Sequence, residues 1–154
     1  VNVSNVMSKK VITVRPEDTL ETAVQKMAKH EFSSLPVVKE GSLVGIVTEA
    51  DVIRAMQVFG PKIHFDTGTS FDVLVAVLRK GKEFENVKAH IMGSGKLKVK
   101  DFMKPHPWTV EPDDSVEQAA RLMVQKGVKS LPVVKGCKLI GIIARADIVR
   151  ALSS

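Results

Sequence analysis

A chain of 154 residues with 44% hydrophobic and 26% charged side chains, seven prolines and ten glycines has ordinary globular composition, which excludes a disordered or fibrous protein. Its single cysteine, Cys137, excludes an internal disulfide; no apolar run approaches the ~18 residues of a membrane span, and the opening Val1-Asn2-Val3-Ser4 lacks a signal-peptide layout, so no membrane association and a cytoplasmic location are expected. The formal charge of +6 favours an anionic partner, whether nucleotide, nucleic acid or acidic protein, without choosing among them.

In chain order, Val11 to Val14 reads as a short strand, followed by a turn at Arg15-Pro16-Glu17-Asp18 where proline fixes φ. Thr19 offers an N-cap, and Leu20, Ala23, Val24 and Met27 recur at helical spacing, which makes one helix face apolar. Leu35 to Val38 and Leu43 to Val47 are apolar runs separated by a turn near Glu40-Gly41, the pattern of a hairpin. Ala50 to Met56 reads as a second helix.

The next stretch, about Gln57 to Lys100, has a different character. Phe71, Leu74, Val75 and Leu78 fall at helical spacing with Arg79-Lys80-Gly81 as a stop, although the continuous run Val73 to Leu78 also suits a strand. Phe59-Gly60-Pro61 and Gly93-Ser94-Gly95 read as flexible connections.

Beyond it the opening pattern returns. The segment Leu-Pro-Val-Val-Lys begins at Leu35 and again at Leu131, 96 residues later, and the same shift superposes Thr13-Val14 on Thr109-Val110, Pro16 on Pro112, Ala23 on Ala119, Met27 on Met123 and Arg54-Ala55 on Arg150-Ala151. Ser115 and Gln118 form a capping-box pair ahead of Val116, Ala119, Ala120 and Met123. Leu131 to Val134, Leu139 to Ile143 and Ala146 to Leu152 complete a second βαββα unit. Three segments follow: a first repeat over 1–58, an insert over 59–96 and a second repeat over 97–154. One copy alone buries too little apolar surface to be secure, so the copies are expected to pack sheet against sheet about a pseudo-twofold axis with two related clefts.

The stretch with most chemical content is Gly45-Ile46-Val47-Thr48-Glu49-Ala50-Asp51, at a strand-to-helix junction. Glycine there permits close approach of a ligand, Thr48 supplies a hydroxyl, helix-start amides favour an anion, and the Asp51 carboxylate can accept from a ribose diol. Thr48-x-x-Asp51 is equally a capping box in which both side chains serve the helix start. The counterpart Gly141-Ile142-Ile143-Ala144-Arg145-Ala146-Asp147 keeps glycine and aspartate but loses the hydroxyl, which favours a role for the carboxylate other than capping.

Thr-Val-x-Pro, Ser-Leu-Pro-Val-Val and Gly-Ile-Val-Thr-x-x-Asp, each present once per half with those substitutions, make the chain resemble a pair of CBS domains, also called a Bateman module. The resemblance covers about 100 residues and leaves the insert outside. It implies an α+β fold of two βαββα repeats, no catalysis, no required cofactor, and clefts that bind AMP, ADP, ATP or S-adenosylmethionine to regulate a partner protein. By position, Asp51 and Asp147 would bind ribose hydroxyls and Thr48 would contact phosphate or ribose. Ser33, Ser34, Lys129 and Ser130 would line the adenine or reach phosphate, while Val6 and Phe102 would pack on the base. Arg145 would give phosphate a cation where Ala144 lacks the hydroxyl, or simply face solvent from the helix start. The copy with Thr48 and Asp51 is expected to be the better site.

Other candidates carry less. His30, His64, His90 and His106 lack ligand spacing, so no metal site is expected. Trp108 suits core packing or a sheet edge better than base stacking. Lys96, Lys98, Lys100 and Lys104 form a basic run that suits a solvated face, or RNA, DNA or protein binding if both clefts are vestigial. No nucleophile has a recognisable base and orienting group, which argues against an enzyme. A homodimer is compatible with either function.

Overall fold

The computed structural model describes residues 1–59 and 97–154. The helix or strand expected around Phe71 to Leu78, with nearly all of the insert, lies outside the described residues, as do His64, His90 and Lys96. The elements in order are α1 (Val3–Val6), α2 (Leu20–His30), β1 (Ser34–Lys39), β2 (Ser42–Thr48), α3 (Glu49–Phe59), α4 (Val99–Phe102), β3 (Lys104–Pro105), α5 (Val116–Lys126), β4 (Ser130–Lys135), β5 (Lys138–Ala144) and α6 (Arg145–Ser153).

The local signals act as their chemistry dictates. Thr19 Oγ1 accepts from the Thr22 N–H at 3.2 Å and starts α2, whose apolar stripe buries Leu20, Ala23 and Met27. Ser115 and Gln118 make both bonds of their capping box, at 3.1 and 2.7 Å, and α5 buries Val116, Ala119 and Met123 in the same way. The β1–β2 turn has Glu40 at φ 52° and Gly41 at φ 82°, the left-handed pair that a two-residue hairpin turn demands.

The contacts divide the chain into two compact units. One comprises Val1–Thr13, Pro36–Ile46 and Pro105–Ser154; the other comprises Val14–Leu35 and Val47–Lys104. Each unit joins the helical part of one copy to the leader of the other. In the first, the Val3 and Ser4 amides donate to the carbonyls of Asp114 and Pro112 at 2.8 and 3.0 Å. In the second, Val99 and Lys100 donate to Asp18 and Pro16 at 2.7 and 3.0 Å, the same bonds shifted by one repeat.

The cause is local. A helix of four residues satisfies almost none of its first amides internally, and the proline turns present carbonyls that can take them. Val3 and Val99 are fully buried at these junctions, each contributing about 1.5–3 kcal/mol through its apolar surface. The leader of the second unit is also held electrostatically. Lys98 and Lys100 reach the Glu17 carboxylate at 2.9 and 3.1 Å, and these hydrogen bonds hold its pKa below the usual carboxylate value.

One expectation about strands is corrected. The run Val11 to Val14 is extended chain with only Val14 in a bridge, and Val110 likewise makes one isolated bridge, to Val133. Pro112, two residues beyond Val110, supplies no N–H for the next bond of that ladder, so pairing cannot propagate past it. The strands run β1-β2-β5-β4 in one sheet, with β2 joined to β5 at Ser42 and Lys138 and β3 paired with β2. Within the first unit the core gathers Val3, Ala119, Met123, Leu131, Val133 and Ile143. In the second, Leu20, Ala23, Met27, Leu35, Val47 and Val99 are buried.

Candidate functional site

In the second unit, β2 ends at Thr48 and α3 begins at Glu49, so the junction sits where a strand hands its exposed end to helix-start amides. The Asp51 side chain is 2% exposed. Its Oδ2 accepts from the Thr48 amide and hydroxyl, both at 2.8 Å, and Thr48 Oγ1 accepts in return from the Asp51 amide at 3.3 Å. The capping-box reading is therefore realised here in full. Oδ1 is paired with the Arg54 guanidinium and with Lys104 Nζ at 3.3 Å, and Lys104 also donates to Thr48 Oγ1 at 3.4 Å.

The other residues expected at this site lie in the same unit. The Ser33 carbonyl accepts from the Glu49 amide at 3.1 Å, tying the strand entry to the helix start, and Ser34 is buried beside it. Phe102, half-buried at the end of α4, stands two residues before Lys104.

The first unit repeats the arrangement around Asp147. Its side chain is 9% exposed, Oδ2 accepts from the Ala144 amide at 2.8 Å, and Oδ1 is paired with Arg150. Ser130 pairs in register with Ala144, and the Lys129 carbonyl accepts from the Arg145 amide at 3.2 Å, so both residues before Leu131 flank the start of α6. The side chains of Lys129 and Arg145 are exposed. Val6 is half-buried, and the chain after it is stitched to β5 by reciprocal 2.9 Å bonds between Ser8 and Ile142.

Several inferences from sequence change. Asp147 still caps its helix, because loss of the threonine hydroxyl removes only half of the box and leaves the Ala144 amide to be satisfied. Gly141 makes room for the protein itself: a Cβ there would stand 2.6 Å from Met7 Sδ and 3.0 Å from the Ser8 carbonyl oxygen. Trp108 is 53% exposed, outside the core, with the Lys126 ammonium 4.1 Å from its ring centroid. Of the basic run, Lys98, Lys100 and Lys104 are engaged with Glu17 and Asp51.

Sequence reasoning did not place Arg54, Arg150 or Lys104 in the site, although the arginines appeared in the repeat and Lys104 in the basic run. The arginines had a signal, since each follows its aspartate by three residues in both copies, the spacing of neighbours on a helix. Among the described residues no three His, Cys, Asp or Glu side chains converge as a metal set, and no helix is long and apolar enough to cross a membrane.

A doubled unit of helix, hairpin and helix, with one buried carboxylate at each strand-to-helix junction, defines a tandem-repeat module. The CBS domain model matches residues 3–58 and 99–154, and the chain belongs to that family. It is 28% identical over 152 residues to the uncharacterized protein MJ1426 of Methanocaldococcus jannaschii, covering 97% of this chain and 90% of the relative. It is 33% identical to MJ1404 of the same organism but spans only 32% of that protein. Among solved structures it is similar to CBSX2 in complex with AMP, a protein of Arabidopsis thaliana, with a TM-score of 0.70, 27% identity, and coverage of 99% of this chain and 96% of that one. The two βαββα repeats expected from the sequence are thus those of a CBS pair.

Proposed function

We propose that the chain is a regulatory, non-catalytic module that binds an adenosyl ligand of the AMP class at the two strand-to-helix junctions. The observation that carries this reading is the matched pair of buried carboxylates, Asp51 and Asp147, each in the same unit as a half-buried apolar leader residue, Phe102 or Val6. A carboxylate held rigid by a helix start is suited to a vicinal diol, and an apolar or aromatic side chain is suited to a purine face. Ser33, Ser34, Thr48, Lys129, Ser130 and Arg145 contribute polar contacts to base or phosphate. The AMP complex of the similar CBSX2 supports the choice of ligand. A role as a basic nucleic-acid scaffold is less favoured, because the described lysines of the basic run already pair with carboxylates.

Calorimetric titration with AMP, ADP, ATP and S-adenosylmethionine tests the reading. Binding by at least one is expected, with ligand at ~100 times its dissociation constant adding about 2.7 kcal/mol of stability. Absence of binding by all four, or binding unchanged in Asp51→Ala with Asp147→Ala, would refute it. We further expect self-association through α5 and α6, where Val124, Val149 and Leu152 are 83%, 64% and 75% exposed beside a groove of about 380 Å³. Sedimentation of wild type against Val149→Lys checks this, and two monomeric species would contradict it.

A further inference from the structure

We infer that the two sites differ in readiness: Asp147 keeps lone pairs for a ribose, whereas Asp51 is latched by Lys104 and opens more readily to a ligand carrying an anionic group such as a phosphate. The inference rests on the adenosyl-binding reading above and assigns each site its ligand charge.

An ionised carboxylate offers about four lone-pair positions. At Asp51 the described residues fill them: the Thr48 amide and hydroxyl on Oδ2, Arg54 and Lys104 on Oδ1. At Asp147 they supply two donors, the Ala144 amide and Arg150. The two missing donors correspond to two substitutions between the copies. Alanine stands at 144 where threonine stands at 48, and Ser8 stands one repeat before Lys104. Ser8 Oγ turns to its own chain, 3.5 Å from the Lys10 carbonyl. Asp147 therefore keeps positions for two ribose hydroxyls, while Asp51 has none until a donor leaves.

Lys104 is the donor able to leave. The Thr48 amide belongs to the helix cap, and Arg54, 58% exposed, has its counterpart in Arg150 at the other site and so does not distinguish the two. Lys104 comes from the leader of the other copy, is 53% exposed, and has a flexible four-carbon stem. A phosphate beside Thr48 would draw the ammonium from carboxylate to ligand, exchanging one charge pair for another. A neutral nucleoside offers no such exchange, and a cationic ligand opposes it. Around Asp147 no comparable latch has to move among the described residues, and the exposed Lys129 and Arg145 flank the start of α6.

The test is calorimetry on the whole chain with adenosine and AMP, using wild type, Lys104→Ser and Lys104→Gln, with Asp51→Asn and Asp147→Asn to assign each site. Wild type should bind adenosine more weakly at the Asp51 site than at the Asp147 site, and AMP at both. Either Lys104 variant should raise the affinity of the Asp51 site for adenosine by up to about fivefold, the size of one half-exposed ion pair, and should weaken AMP there. Because Lys104 is exposed, both variants should melt near wild type, which separates ligand effects from folding. Equal adenosine binding at both wild-type sites, or adenosine binding indifferent to Lys104, overturns this inference while AMP binding preserves the parent reading. Failure of AMP and adenosine to bind any of the proteins overturns both.

Discussion

Replacing Gly141 by alanine asks whether the docking of the N-terminal leader on β5 is as tight as its hydrogen bonds suggest. The added methyl would meet Met7 Sδ at 2.6 Å, Met7 Cγ at 3.2 Å and the Ser8 carbonyl oxygen at 3.0 Å. The thioether is the end of a flexible side chain and can swing aside. The carbonyl cannot, because it accepts from Ile142 at 2.9 Å while the Ser8 amide donates back at 2.9 Å. The backbone must therefore shift by a few tenths of an ångström, at a cost of about 1–3 kcal/mol. Stiffening of the unfolded chain by alanine offsets only about 0.4–1 kcal/mol, so the net sign is destabilising. For a chain of this size the net loss, about 1.3 kcal/mol at mid-range, corresponds to a fall in Tm of roughly 3–5 °C. Thermal unfolding followed by circular dichroism reads the loss, and hydrogen exchange at the Ser8 and Ile142 amides should quicken. An unchanged or raised Tm would refute the argument that the leader closes on this glycine.

Glu17→Gln should lower Tm at neutral pH, because the Lys98 and Lys100 hydrogen bonds favour the carboxylate form in the folded chain. A carboxyl whose folded pKa is depressed contributes above its unfolded pKa and loses that contribution as pH falls through the folded value. The difference from wild type should therefore vanish on acidification below the carboxylate range and shrink with added salt, since the pair is solvent-exposed. A difference constant across a pH series would contradict the assignment. Ser115→Ala removes the hydroxyl that accepts from Gln118 and should cost ~1 kcal/mol in a denaturant titration, with no loss expected if the cap were idle.

The helices and hairpins were legible because each depends on neighbours in sequence. Leu20, Ala23 and Met27 declare a helix face, Ser115 and Gln118 a start, and Glu40-Gly41 a turn, without reference to anything distant. The leaders were not legible, since four residues are too few to show a period. Their exchange was hidden for a deeper reason. When two copies share a pattern, a leader that docks on its own copy and one that docks on the other satisfy the same sequence rules. Only the geometry distinguishes Val99 on Asp18 from Val99 on Asp114.

The same exchange determines what each carboxylate meets. Asp51 and Thr48 could be read as a motif, and both their ligand-binding and capping meanings were visible in that motif. The partner that decides whether Asp51 has a lone pair to spare is Lys104, more than fifty residues away and belonging to the leader of the other repeat. Reciprocally, Ser8 reaches the strand that leads to Asp147 because the N-terminal leader docks there. Ranking the sites by their own motifs favours the copy that retains threonine, whereas ranking them by their occupied lone pairs favours the copy that lost it. The difference between the two sites therefore resides as much in the leaders as in the junctions, and a substitution at position 104 should alter the ligand preference of a motif it does not belong to.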